Sequence, residues 1–300
     1  MVSLPTPLQE ISHELLEKRA IKLYVKRDDL IHPEIMGNKW RKLKHNLKAI
    51  RDQNLESIIT MGGAYSNHIA ATAAAAAEHH LKSVGIIRGN ELNKESNQTL
   101  RAAHAKGMEL CFVDRKTFRE WRENPAMLKT KYSNHYFLPE GGTNELAIEG
   151  CTEILSEIDQ EFDVVVAPIG TGGTFAGILK SALQEQKVIG VSSLKGNFIH
   201  EEVSTLLKNH SISNPNYEIM DAYHFGGYGK TNQKLIDFIN WFKENFGISL
   251  DPIYTGKSFF AVWDMIKSHK FEKNLRIVLL HTGGLQGIEG FNRKNENIIQ

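Results

Sequence analysis

The sequence predicts an α/β protein built from two open, twisted, mostly parallel sheets flanked by helices. Three observations lead there. Strand-like apolar runs alternate with helix-like segments along most of the chain, and strands separated by helices are joined as parallel crossovers. Runs such as FDVVVAPIG (162–170) and RIVLLHTGG (276–284) are apolar almost without a break, as a sheet covered on both faces requires. The alternation comes in two series, the first closing with HYFLPEGG (135–142), so two sheet-and-helix units share one chain.

Taken in order, IKLYVKRDDL (21–30) predicts a short strand and a charged corner. Asp28 and Asp29, beside Lys26 and Arg27, read as structural ion partners rather than a catalytic carboxylate pair. After the turn signal Gly37-Asn38, the residues Trp40, Leu43, Leu47 and Ile50 recur at helical spacing, so Lys39 heads a helix. SIITMGG (57–63) is a strand ending in glycines, and SNHIAATAAAAAEHH (66–80) is a helix. SVGIIRG (83–89), a helix over 93–106, MELCFVD (108–114) and a charged helix from about residue 116 continue the first series. The second opens with the helix TNELAIEGCTEILSEI, followed by strand 162–170, a glycine-rich loop with its helix, and KVIGVSSL (187–194). A helix near 201–208, a long helix ending near Phe246, DPIYTGKS (251–258) with its helix, and strand 276–284 complete it. No short repeat or low-complexity linker intervenes.

Composition narrows the function. With 300 residues the chain can bury a large core, and a net charge of +1 gives no reason to expect nucleic acid or an anionic membrane as partner. MVSLPTPLQEIS lacks the basic flank and apolar run of a signal peptide, and no apolar stretch reaches the roughly 18 residues of a membrane span. The two cysteines, Cys111 and Cys151, suit a reducing, cytoplasmic setting. Thirteen histidines show no metal-ligand spacing, so no metal site is expected.

Lys39 is the centre of the reading. An amine held rigidly at a helix start, partly desolvated and near other cations, loses proton affinity and becomes a nucleophile toward an aldehyde. Lys42, one turn on, could meet an anion. The same basic residues also fit the solvated face of an amphipathic helix. Three strand ends offer ligand-binding groups. Ser66 or Asn67 caps a helix whose free N–H groups, with both side chains, suit a carboxylate or a cofactor oxygen. Gly170-Thr171-Gly172-Gly173-Thr174 suits a phosphate. Phe175 stands where a dinucleotide fingerprint needs its third glycine, and Ser192, Ser193 and Lys195 stand where its acid belongs. Gly229-Lys230-Thr231 is no Walker loop, because His224 occupies the leading glycine position. His281-Thr282-Gly283-Gly284 is the third loop, and Tyr254 in DPIYTGKS is either a packing residue or a pocket wall.

KRDDL, GNKWRKL, SNH, GTGGT, DPIYTGKS and HTGG, in this order from about residue 24 to 287, resemble the pyridoxal-phosphate enzymes of the tryptophan-synthase-β-like fold (fold type II). GNKWRKL with SNH is most similar to the branch of D-cysteine desulfhydrase and 1-aminocyclopropane-1-carboxylate deaminase. The resemblance implies a larger cofactor domain, 1–48 plus 146–300, and a smaller one, 49–145. It implies that Lys39 holds pyridoxal 5'-phosphate covalently and later acts as base. Lys42 and Gly170, Thr171, Gly172, Gly173 and Thr174 would hold the phosphate, Asn67 the ring oxygen, and Thr282 would approach the ring nitrogen. Ser66, Asn67 and His68 would receive the substrate carboxylate. Ser66 matches the active hydroxyl, and Tyr254 lines the substrate pocket. A homodimer acting on a small amino acid is implied as well.

Ring-opening deaminases carry a further tyrosine after the final glycine pair, whereas 285–291 reads LQGIEGF. His68 also stands where those enzymes commonly have an amide. The missing tyrosine makes a D-cysteine desulfhydrase-like elimination to pyruvate, ammonia and sulfide the expected reaction. Ring opening to 2-oxobutanoate and ammonia is the alternative. A non-catalytic pyridoxal-phosphate binder is a third reading, and a nicotinamide oxidoreductase a fourth.

Overall fold

Ten strands carry the architecture in the computed structural model, which describes residues 2–295 and 298–300. They are β1 (Leu8–Ile11), β2 (Lys22–Lys26), β3 (Ser57–Gly63), β4 (Lys82–Arg88), β5 (Met108–Val113), β6 (Tyr136–Leu138), β7 (Val164–Ile169), β8 (Lys187–Ser192), β9 (Tyr217–Met220) and β10 (Arg276–Leu280). The chain divides into two compact units: Met1–His32 with Met36–Asn38 and Cys151–Gln300, and Pro33–Ile35 with Lys39–Gly150.

The first unit holds a six-stranded sheet in the order β1-β2-β10-β7-β8-β9. Every pair is parallel except β1 with β2. Its central strands β7 and β10 are the unbroken apolar runs of the sequence, and all six residues of β7 are buried. Helices Gln233–Phe246 and Thr255–Lys267 pack an aromatic layer of Phe238, Phe242, Phe259 and Phe260 into the same core. The second unit holds a four-stranded, wholly parallel sheet in the order β5-β4-β3-β6. Helix Asn67–Glu78 buries Ala71 and Ala73 to Ala76, whose small side chains let its backbone lie close to the sheet.

These orders place the ligand loops. From β7 the chain proceeds to β8 and β9 on one side, and β10 then enters on the other side of β7. From β3 it proceeds to β4 and β5, and β6 enters on the opposite side of β3. Each sheet therefore reverses its winding beside β7 and β3, and an open parallel sheet offers a ligand crevice at the carboxyl ends of such strands. Gly170 follows β7, His281 follows β10, and the segment from Ala64 to His68 follows β3.

Several local expectations need correction. The helix expected over 93–106 spans Gln98–Ala105, because Asn97 caps it while Ser96 and the side chain of Asn93 close a turn ahead of it. The charged helix breaks into Arg115–Glu123 and Pro125–Lys131, since Pro125 forces Asn124 out of helical geometry. Strands β1 and β9 and helices Glu14–Arg19 and Gln286–Lys294 add to the predicted set. Asp29 does pair with Arg27, at 2.7 Å, but Lys26 turns to Glu157, at 2.8 Å, and Asp28 accepts from Thr6. Among the described residues no helix is long and apolar enough to cross a membrane.

Candidate active site

In the second unit the basic helix is not a solvated face. Arg41 and Lys42 are buried, Lys39 is half-buried, and of its basic residues Lys48 and Arg51 are exposed. The ammonium of Lys42 donates to the carbonyl of Gly141 and the hydroxyl of Thr143, both at 3.0 Å. Lys39 donates to the same carbonyl at 3.4 Å. Two amines thus share one acceptor.

Ser66 caps helix Asn67–Glu78, its hydroxyl accepting from the N–H of Ile69 at 3.3 Å. Asn67 and His68 open the first turn, where N–H groups have no partner within the helix. His68 is fully buried, and its Nε2 lies 2.7 Å from the hydroxyl of Thr60. That hydroxyl donates its single proton to the carbonyl of Leu138 at 2.9 Å, so His68 Nε2 must carry the hydrogen. Burial, followed by the charges of Lys39 and Lys42, holds the ring well below the usual imidazole range. The ring is neutral and Nδ1 is an acceptor without a partner. An acceptor repels a carboxylate, so any carboxylate contact from this residue has to come from its main-chain N–H. Gly142, at φ +70°, lies against this ring, and a Cβ there would stand 2.8 Å from Cε1.

The first unit contributes a second group. Gly172, at φ +79°, precedes helix Gly173–Ser181, which has no side chain on its first N–H groups. Backbone donors of this kind suit an anion. Gly170 lies under the ring of Tyr254, where a Cβ would stand 3.1 Å from Cε1. Tyr254 stacks edge-on with Tyr228, ring centroids 6.1 Å apart. Thr282, buried at the end of β10, offers its carbonyl to the N–H of Asn38 at 3.3 Å. The Asn38 side chain donates to the hydroxyl of Thr174 at 2.8 Å. The residue bonded directly to Lys39 is thereby fastened to both glycine-rich strand ends. A Cβ on Gly37, at φ +60°, would lie 2.0 Å from the Thr282 carbonyl oxygen, so only glycine fits.

Sequence reasoning missed four supporting residues. Asn38 read only as a turn signal and Thr60 as a strand residue. Asp251, almost wholly buried, accepts from the N–H groups of Ile253, Tyr254 and Thr255 and from the Thr255 hydroxyl, fixing the turn that carries Tyr254. Lys257, wholly buried, donates only to main-chain carbonyls.

Each unit taken by itself offers groups that fit part of pyridoxal phosphate: the second a half-buried amine suited to its aldehyde, the first glycine N–H groups with hydroxyls suited to its phosphate. A family model described as pyridoxal-phosphate dependent enzyme matches residues 2–283. The chain is 32% identical over 304 residues to a provisionally named 1-aminocyclopropane-1-carboxylate deaminase of Pyrococcus abyssi, covering 94% of this chain and 90% of that one. It is 29% identical to the mitochondrial bifunctional D-cysteine desulfhydrase/1-aminocyclopropane-1-carboxylate deaminase of Arabidopsis thaliana, over 96% of this chain and 78% of that one. A crystal structure of an ACC deaminase homologue superposes with a TM-score of 0.85 at 27% identity, covering 99% of this chain and 95% of the other. The chain belongs to the pyridoxal-phosphate-dependent enzymes of the tryptophan-synthase-β-like fold, and its cofactor is pyridoxal 5'-phosphate.

Proposed function

We propose that the enzyme catalyses α,β-elimination from a small thiol amino acid, D-cysteine first, consuming water and releasing pyruvate, ammonia and sulfide. The observation that carries this reading is the pair of amines, Lys39 and Lys42, that meet at one main-chain carbonyl, that of Gly141. When bound, pyridoxal phosphate supplies an electron sink that acidifies the α-proton of an attached amino acid. Lys39 would hold the cofactor covalently, and its amine, displaced by the substrate amine, would take the α-proton. Lys42 and Gly170 to Thr174 would hold the phosphate, Asn67 the ring oxygen, and Thr282 would face the ring nitrogen. The N–H groups of Asn67 and His68 would hold the carboxylate, with Ser66 as proton carrier and Tyr254 as pocket wall.

The absence of a tyrosine from 285–291 supports elimination over ring opening. Ring opening stays the second reading, because both relatives described above carry deaminase names. A cytoplasmic homodimer is part of the proposal, supported by Cys111 and Cys151, which no disulfide joins, and by the family resemblance.

A panel of D- and L-cysteine, D- and L-serine and 1-aminocyclopropane-1-carboxylate, scored for keto-acid product, tests the reading. Pyruvate from D-cysteine, abolished in Ser66→Ala and Lys39→Ala, is the expected result. 2-Oxobutanoate from the cyclopropane substrate alone would establish the deaminase instead. A yellow protein that turns over none of the five would be a cofactor binder.

A further inference from the structure

Lys257 sits in the first turn of helix Thr255–Lys267 with no accessible surface. Its ammonium donates to the main-chain carbonyls of His224 and Gly227, each at 2.8 Å, and of Ser193 at 3.4 Å. Among the described residues no carboxylate is hydrogen-bonded to it. Asp251, whose charge acts on this amine, spends its oxygens on Ile253, Tyr254 and Thr255. A buried lysine ordinarily pairs with an acid. Three carbonyl oxygens converging on one positive centre are what a protein builds to replace the water shell of a monovalent cation. The hydroxyl of Ser193, buried and without a partner, is a further oxygen on the same residue.

We propose that this carbonyl cage is a monovalent-cation site which the protein fills with its own ammonium, making Lys257 a positioning residue. The cage walls show what it positions. Ser193 follows β8, and its N–H donates to the carbonyl of Ile169, the residue before Gly170. The His224–Gly227 loop runs through Phe225, Gly226 and Gly227 at φ +52°, +99° and +113°, and leads to Tyr228, which touches the ring of Tyr254. Tyr254 is three residues before Lys257 and lies over Gly170. The ammonium thus ties together three segments that border the glycine loop. Burial pulls the amine down to about 8, opposed by Asp251, so at neutral pH it still carries its charge.

The test compares the cofactor-loaded wild type with Lys257→Ala, which empties the cage, and Lys257→Met, which fills it without charge. Each is measured in choline, sodium, potassium and ammonium chloride at one ionic strength. Wild type is expected to show the same melting temperature and cofactor retention in all four. Lys257→Ala is expected to lose ~5 °C or more and to hold cofactor about tenfold more weakly in choline. Potassium or ammonium should restore most of both losses, sodium less, because oxygens at 2.8 Å suit the larger ions. Lys257→Met should not recover. Equal losses in all four salts, or no loss in choline, would overturn the proposal. If Lys257→Ala does not fold in any salt, the wild type decides through nitrogen NMR of its lysine side chains at pH 7, assigned with Lys257→Arg. A protected ammonium signal supports the cage, and a neutral amine or a rapidly exchanging ammonium refutes it. The cofactor arm rests on the proposed role of the glycine loop, whereas the melting arm does not, so the two readings fail separately.

Discussion

His68 shows how one side chain can be read from its neighbours. Thr60 has a single hydroxyl proton and spends it on Leu138, which settles the tautomer of the imidazole without any view of hydrogens. The ring is buried, lies near two ammonium groups and is neutral in the folded protein, with a pKa well below 6.5. In the unfolded chain it takes a proton near pH 6.5, so the unfolded state binds the extra proton. Stability from this residue is therefore complete above about pH 6.5 and declines as the pH falls below it, by up to ~1.4 kcal/mol per pH unit until the folded ring titrates. Urea unfolding between pH 5 and 7 should show this slope in the wild type and lose most of it in His68→Gln. Parallel pH profiles would mean that the ring is protonated in the fold. The sequence put His68 beside Ser66 and Asn67 but not its charge state, because Thr60, Leu138 and Gly142 reach it from other elements.

At the level of elements, the turn Asp251–Thr255 is worth more than its tyrosine. One carboxylate accepts four hydrogen bonds there, three of them from main-chain N–H groups at the start of helix Thr255–Lys267. An asparagine has one oxygen where the aspartate has two. Asp251→Asn should therefore cost about 1.5–3 kcal/mol in urea unfolding. It should also lower kcat/KM by loosening Tyr254, while the cofactor's visible absorbance stays near that of wild type. An unchanged kcat/KM would separate this turn from the substrate pocket. The motif DPIYTGKS was conspicuous in the sequence, yet Asp251 and Lys257 were not singled out within it. Lys257 reads as a surface charge until carbonyls 30, 33 and 64 residues away converge on it. The same limit hid the burial of Arg41 and Lys42, which periodicity left open to solvent.

Across the whole molecule, the parts of the fold that the sequence revealed are those whose burial shows in composition. β7 and β10 are covered on both faces and read as uninterrupted apolar runs. β1 and β9 lie at the sheet edges, with half-polar sequences LQEI and YEIM, and carry no such mark. Helix Glu14–Arg19 has six residues, too few for a period to show. The cofactor should act at this scale too. A ligand that binds only the native state stabilises it by about 2.7 kcal/mol at a hundredfold excess over its Kd. Pyridoxal phosphate should raise the urea midpoint accordingly in the wild type and far less in Lys39→Ala. An equal gain in both proteins would show that the cofactor is held without that amine.

The contact between Gly37 and the Thr282 carbonyl bears on how new specificities could be obtained from this scaffold. A methyl group has no room at position 37, and Asn38 is fastened at two points. Variation at these two positions would disturb the backbone that leads into Lys39, the proposed cofactor amine, before any new substrate was met. A library for other amino acids should leave them alone and diversify Tyr228 and 285–291, where the chain is only partly buried or open.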